Sequence, residues 1–118
     1  MNTKSVLIVD DDMVLCRTLE IQLELAGHSA RSTFTGDGGI FIARHWQPDL
    51  VLLDINLPDQ SGFTVLPKIR KESTGTKIIM MSACSHQEFA RMHVHPGEIG
   101  FLKKPLDLGA LLKILHTP

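Results

Sequence analysis

Short, unbroken apolar runs recur along this chain at roughly 20 to 30 residues, the length of one strand–helix unit. They are Val6-Leu7-Ile8-Val9, a weaker run from His28 to Phe34, Leu50-Val51-Leu52-Leu53, Ile78-Ile79-Met80-Met81, and Ile99 to Leu102. Unbroken apolarity marks strands buried on both faces, as in a parallel sheet covered by helices. The second run alternates with polar residues, which places it near a sheet edge.

The segments between the runs carry helical periodicity. Asp12 is positioned to cap the first helix, Leu15, Leu19, Leu23 and Ala26 form its apolar face, and Gly27 ends it. In the second, Gly36, Gly38 and Gly39 weaken the start, and Ile40, Ala43 and Trp46 carry the period. Ser61 can cap a third helix with the face Phe63, Leu66 and Ile69. Pro67 there removes a helical hydrogen bond unless it falls in the first turn. A fourth, the weakest, runs near Ser85 to His95 and ends before Pro96-Gly97. Asp107 caps the fifth, which packs Leu108, Leu111, Leu112 and Leu115. Five units in strict alternation specify an α/β protein with an open, doubly wound parallel sheet, because a closed barrel needs eight.

Composition narrows the function. A chain of 118 residues is one domain by length, and 43% hydrophobic content supplies a core without staples. Twelve basic and thirteen acidic residues leave a net charge of -1, which excludes a strongly basic nucleic-acid binder. No direct nucleic-acid binding is expected. No apolar run is long enough to span a membrane, and the N-terminus has no signal-peptide pattern. Cys16 and Cys84 are too few for a disulfide framework and lack metal-ligand spacing, so a reducing, cytoplasmic setting is expected. Tyrosine is absent and there is one tryptophan, too little for an aromatic nucleic-acid platform.

In such a sheet, ligands bind beyond the carboxyl ends of the strands. The first strand runs into Asp10-Asp11-Asp12 and the third into Asp54, followed by Asn56. The fourth ends at Ser82-Ala83 and the fifth at Lys103-Lys104-Pro105. Carboxylates gathered on one rim repel one another unless a cation sits among them. An all-oxygen donor set suits a hard ion such as Mg²⁺. A metal, a lysine and a hydroxyl are what phosphoryl transfer needs, and a carboxylate can be the nucleophile.

These residues, in this order and spacing, resemble the receiver domain of two-component response regulators along nearly the whole chain. The motifs are Val9-Asp10-Asp11, Pro48 to Asp54, Leu57-Pro58-Asp59-Gln60-Ser61-Gly62, Ser82-Ala83 and Phe101-Leu102-Lys103-Lys104-Pro105. The resemblance implies a flavodoxin-like sheet of order 2-1-3-4-5 with five helices. It implies that Asp54 accepts a phosphoryl group and that Mg²⁺ is bound by Asp11, Asp54 and the backbone carbonyl of Asn56, and by Asp10 directly or through water. Ser82 would bond the phosphoryl oxygen, Lys104 would pair with it, and the Lys104–Pro105 bond would be cis. Phe101 stands at the family's aromatic switch position. The implied partner is a sensor histidine kinase or phosphotransfer protein, with a homodimer through the helix 4–strand 5–helix 5 face as a further expectation. Residues 1–118 are read as one receiver domain, the N-terminal part of a longer regulator or a stand-alone protein.

Other residues have plainer roles. Asp12 is explained by capping, and Lys103 by solvation beside Lys104. His86, His93 and His95 cannot share one helical stripe, so solvated histidines are expected and not a zinc site. Cys84 reads as a small half-buried thiol, and Lys68, Arg70, Lys71 and Lys77 as a solvated basic face. Glu98 and Gly100 depart from the family's alanine and acidic residue, which makes the helix 4–strand 5 region atypical. A haloacid-dehalogenase-like phosphatase would need a threonine in the pattern after strand one, and Asp10-Asp11-Asp12-Met13-Val14 has none. Three aspartates there would also repel a flavin phosphate. A degenerate receiver used only for protein interaction conflicts with the intact acid, hydroxyl and lysine set.

Overall fold

The computed structural model describes residues 3–92 and 100–117. The strands are β1 (Ser5–Val9), β2 (Ser29–Thr33), β3 (Leu50–Asp54), β4 (Lys77–Ser82) and β5 (Gly100–Lys103). They alternate with α1 (Met13–Leu25), α2 (Gly36–Trp46), α3 (Gly62–Glu72), α4 (His86–Met92) and α5 (Leu108–His116). The sheet is wholly parallel and ordered β2-β1-β3-β4-β5, with the alternating second run on an edge as expected.

Side-chain alternation along the central strands feeds two cores. Leu7, Val9, Val51, Leu53 and Met80 meet Ala43 of α2, Val65, Leu66 and Ile69 of α3, and Phe89 of α4. Val6, Ile8, Leu50, Leu52, Ile79 and Met81 meet Cys16, Leu19 and Leu23 of α1 and Leu111 and Leu115 of α5. Leu52 is fully buried, and truncating such a leucine to alanine costs about 2–5 kcal/mol.

The helix ends follow local chemistry. Asp12 Oδ1 accepts from Leu15 N–H, Ser61 Oγ from Phe63 N–H, and Asp107 Oδ1 from Gly109 N–H. Gly27 sits at φ +92° after α1, where a side chain would be strained. In α1 the face differs from the expected one. Cys16 is buried, whereas Ala26 has left the helix as its exposed C-cap. Burial pushes the Cys16 thiol up to about 11, so it is a packing group. Pro67 lies in the second turn of α3, not the first, and points outward where its missing N–H is tolerated. The glycines of α2 are inside the helix, whose cap is Thr35. A Cβ at Gly39 would come within 2.9 Å of Val9, so glycine there lets α2 lie close on β1. Ser85 and Glu88 close a reciprocal capping box on α4. The predicted continuation of helix four through His93 and His95, its end at Pro96, the start of the fifth run at Ile99 and the atypical Glu98 lie outside the described residues.

Candidate functional site: an acidic cleft at the strand ends

The parallel register brings the ends of β1, β3, β4 and β5 to one rim. Oxygens of Asp10, Asp11 and Asp54 lie within 4.8 Å of one another there. Asp10 and Asp54 are buried and Asp11 is exposed, so the cluster opens to solvent on one side. Lys104 Nζ enters from below, 2.6 Å from Asp10 Oδ2 and 3.3 Å from Asp54 Oδ2. The Lys104–Pro105 bond is cis, as expected.

Backbone groups fix the carboxylates. Asp10 Oδ1 accepts from Asp12 N–H at 2.9 Å, and Asp54 Oδ1 from Asn56 N–H at 3.2 Å. Asp10 Oδ2 is buried and accepts no well-aligned hydrogen bond among the described residues, although the lysine ammonium is beside it. The ammonium is the cation that this buried oxygen faces. Burial raises the Asp54 carboxyl above the usual range, the Asn56 hydrogen bond opposes this, and the Asp10 charge adds to it. Burial works against the charge on Lys104, but bonding to Asp10 and the field of Asp54 outweigh it and hold the ammonium above the ordinary lysine value. One cation therefore offsets part of the charge of three carboxylates.

Ser82 is buried at the end of β4, paired in register with Lys103. Its carbonyl accepts from Lys104 N–H at 2.8 Å, and its hydroxyl oxygen accepts from Cys84 N–H at 3.2 Å. Asn56 opens the exposed loop after β3, bridged to Ser61 across that loop. Phe101 is half-buried on β5, away from the carboxylates. It stacks on Phe89 at 4.5 Å and meets the edge of His86 at 4.9 Å. Phe89 escaped sequence reading because α4 is short and weakly periodic. His86 is exposed but not purely solvated, since its ring packs on Phe101. A Cβ at Gly100 would crowd only Ile79 Cδ1 on the paired strand β4, the movable end of a side chain. Asp12, Lys103, Lys68, Arg70, Lys71 and Lys77 are surface residues, and Cys84 is half-buried, as expected.

The model for the response regulator receiver domain matches residues 6–116. The chain is 30% identical to the cell cycle transcriptional regulator CtrA of Caulobacter vibrioides over 95% of its own length and 48% of that protein. It is 33% identical to the probable transcriptional regulatory protein TcrX of Mycobacterium tuberculosis, over 88% of its own length and 44% of that protein. The chain thus spans about half the length of the curated relatives it matches. Among solved structures, a CheY-like receiver domain protein from Methanospirillum hungatei superposes with TM-score 0.84 at 29% identity, covering 96% of this chain and 90% of that one. A two-component response regulator from Clostridium difficile gives TM-score 0.85 at 28% identity, covering 96% and 93%.

Proposed function

This chain belongs to the response regulator receiver family, whose business is phosphorylation-based signalling, and from that premise we propose that Asp54 takes its phosphoryl group from a phosphohistidine on a sensor kinase or phosphotransfer protein. The observation that carries this reading is the buried Asp54 carboxylate, fixed by Asn56 N–H and flanked by Lys104 and two further acids.

An Asp54 oxygen attacks phosphorus, a P–O bond forms, and the P–N bond to the donor imidazole breaks with its electron pair returning to nitrogen, which takes a proton from solvent. Burial keeps the carboxylate poorly solvated and so more nucleophilic once ionised. Lys104 Nζ already bridges Asp10 and Asp54, so it can follow charge onto the transferred group. Ser82 supplies a hydroxyl on the neighbouring strand end. The donor set fits Mg²⁺: all ligands are oxygens, and three clustered carboxylates outnumber the one lysine beside them. Asp10, Asp11, Asp54 and the Asn56 carbonyl would hold it, and its charge would neutralise phosphoryl oxygens. Incubation with acetyl phosphate and Mg²⁺ should add one base-labile phosphate, by mass, at Asp54. Label at another residue, or none, overturns the assignment.

The same reading includes a relay. Phosphorylation adds nearly two negative charges beside Asp54. Ser82 moves toward them, and Phe101 turns inward, leaving its stack on α4 and altering the α4–β5–α5 face, where a second copy can dock. Ser82→Ala should still bind beryllofluoride but confine NMR shift changes to the cleft. Wild-type shifts at Phe101 in that variant would refute the relay. Residues 1–118 act as the receiver unit, within a longer regulator or alone, in the cytoplasm.

A further inference from the structure

The loop after Asp54 is pinned at both ends. At its base, Asn56 and Ser61 bridge, and Gly62 N–H donates to Ile55 O at 2.7 Å. At its tip, Asp59 reaches across to another helix: Oδ1 accepts from Gly36 N–H at 2.8 Å and Oδ2 from Asp37 N–H at 3.0 Å. These are the first two amides of α2, which have no partner within their own helix. Gln60 adds a bond from Nε2 to Asp37 Oδ1 at 2.9 Å. The contact is close, since a Cβ on Gly36 would lie 2.6 Å from Val65 Cγ2 and 2.8 Å from Gln60. The Gly36 amide, more than any other group, holds the Asp59 carboxyl below the usual carboxylate range, so the strap stays ionised.

We propose that Asp59 is a positioning residue for the metal site: by gripping the N-terminus of α2 it fixes the loop that carries the Asn56 carbonyl ligand. This rests on the proposed metal set above. With the tip free, the Asn56–Ser61 bridge and the Gly62 N–H bond to Ile55 O are left to hold the loop alone, and the strain of a loose tip falls on Asn56. The position of a neutral carbonyl ligand depends wholly on such backbone anchoring, because it has no charge to draw it to the ion.

The alternative is that Asp59 merely caps α2 and stabilises it. Thr35→Ala separates the two, because Thr35 Oγ1 caps the same helix through Gly38 N–H without touching the loop. Calorimetric titration with MgCl₂ should show Asp59→Ala binding Mg²⁺ about 10-fold more weakly than wild type. Thr35→Ala should lose thermal stability while keeping wild-type Mg²⁺ affinity. Asp59→Asn, which keeps one acceptor oxygen, should fall between. Unchanged affinity in Asp59→Ala, or an equal loss in Thr35→Ala, overturns the inference. Failure of the wild type itself to bind Mg²⁺ overturns the metal reading beneath it, and the inference with it.

Discussion

The two ends of the sheet are built on opposite rules. At the amino ends, polar groups bond across neighbouring strand starts, with the buried His28 Nε2 left without a partner among the described residues. Asp49 Oδ2 accepts from Ser5 N–H at 2.8 Å and from Ser5 Oγ at 3.1 Å, and Asp49 N–H donates back to Ser5 Oγ at 2.9 Å. Thr76 Oγ1 donates to Pro48 O, and Lys4 N–H to His28 Nδ1. At the carboxyl ends, three carboxylates gather round one lysine, which makes ion pairs with Asp10 and Asp54. One end pairs its strand-start groups, His28 Nε2 apart, and holds the fold. The other concentrates like charge around one lysine, which lowers stability.

The largest expected effect breaks this contrast at the cleft. Asp54→Asn removes the nucleophile and should abolish phosphate incorporation completely. It also relieves crowding, so its thermal midpoint should equal or exceed that of wild type. A strongly destabilised Asp54→Asn would mean that the cleft is as well satisfied as the other end.

At the amino end the sign reverses. Asp49→Ala removes the acceptor of two hydrogen bonds, at roughly 1 kcal/mol each, so urea unfolding should show a loss of about 2 kcal/mol. Acetyl phosphate labelling should proceed at the wild-type rate. A slower rate would show that the two ends are coupled through β1 and β3.

A bound cation should supply what the cleft lacks. Mg²⁺ at roughly tenfold excess over its dissociation constant stabilises a native-only site by about 1.4 kcal/mol. Scanning calorimetry should show the midpoint rising with MgCl₂ in wild type and much less in Asp11→Ala. Equal rises would remove Asp11 from the ligand set.

This asymmetry was half legible in the sequence. Unbroken apolar runs such as Leu50–Leu53 report burial on both faces, and topology then carries Asp10, Asp11, Asp54, Ser82 and Lys104 to one rim. Those residues follow strands directly, so knowing the strands places them. What escaped depends on contacts between distant segments. Asp59 reads as a loop residue until its bonds to Gly36 and Asp37 are seen. The α2 glycines read as helix weakeners until Val9 and Val65 are found against them. Phe89 sits on a helix too short for periodicity to single out, and its meaning comes from Phe101 on another element.

The smallest effect is a pH dependence in which the two ends oppose each other. His28 is buried, and its Nδ1 accepts the Lys4 N–H, so its one proton sits on Nε2. Protonating Nδ1 would break that bond. Burial, then His116, then Lys4 hold the imidazole below its ordinary value of 6.5. A depressed folded value contributes stability that is present above the unfolded value and lost as pH falls through the folded one. Asp54 is raised above 3.8, so its contribution is full below that value and is lost as pH rises through the folded one. Acidification from about pH 7 to about pH 5 should therefore loosen the amino end, whereas the Asp54 contribution grows as pH falls through its own raised value. His28→Asn can keep the bond, since Oδ1 can accept from Lys4 N–H, yet it cannot titrate. Thermal midpoints of this variant should fall less steeply over that range than those of wild type. Parallel slopes would place the acid sensitivity elsewhere. A flat variant would show that the amino end is the one that acid undoes, because its Lys4 N–H bond depends on a neutral imidazole.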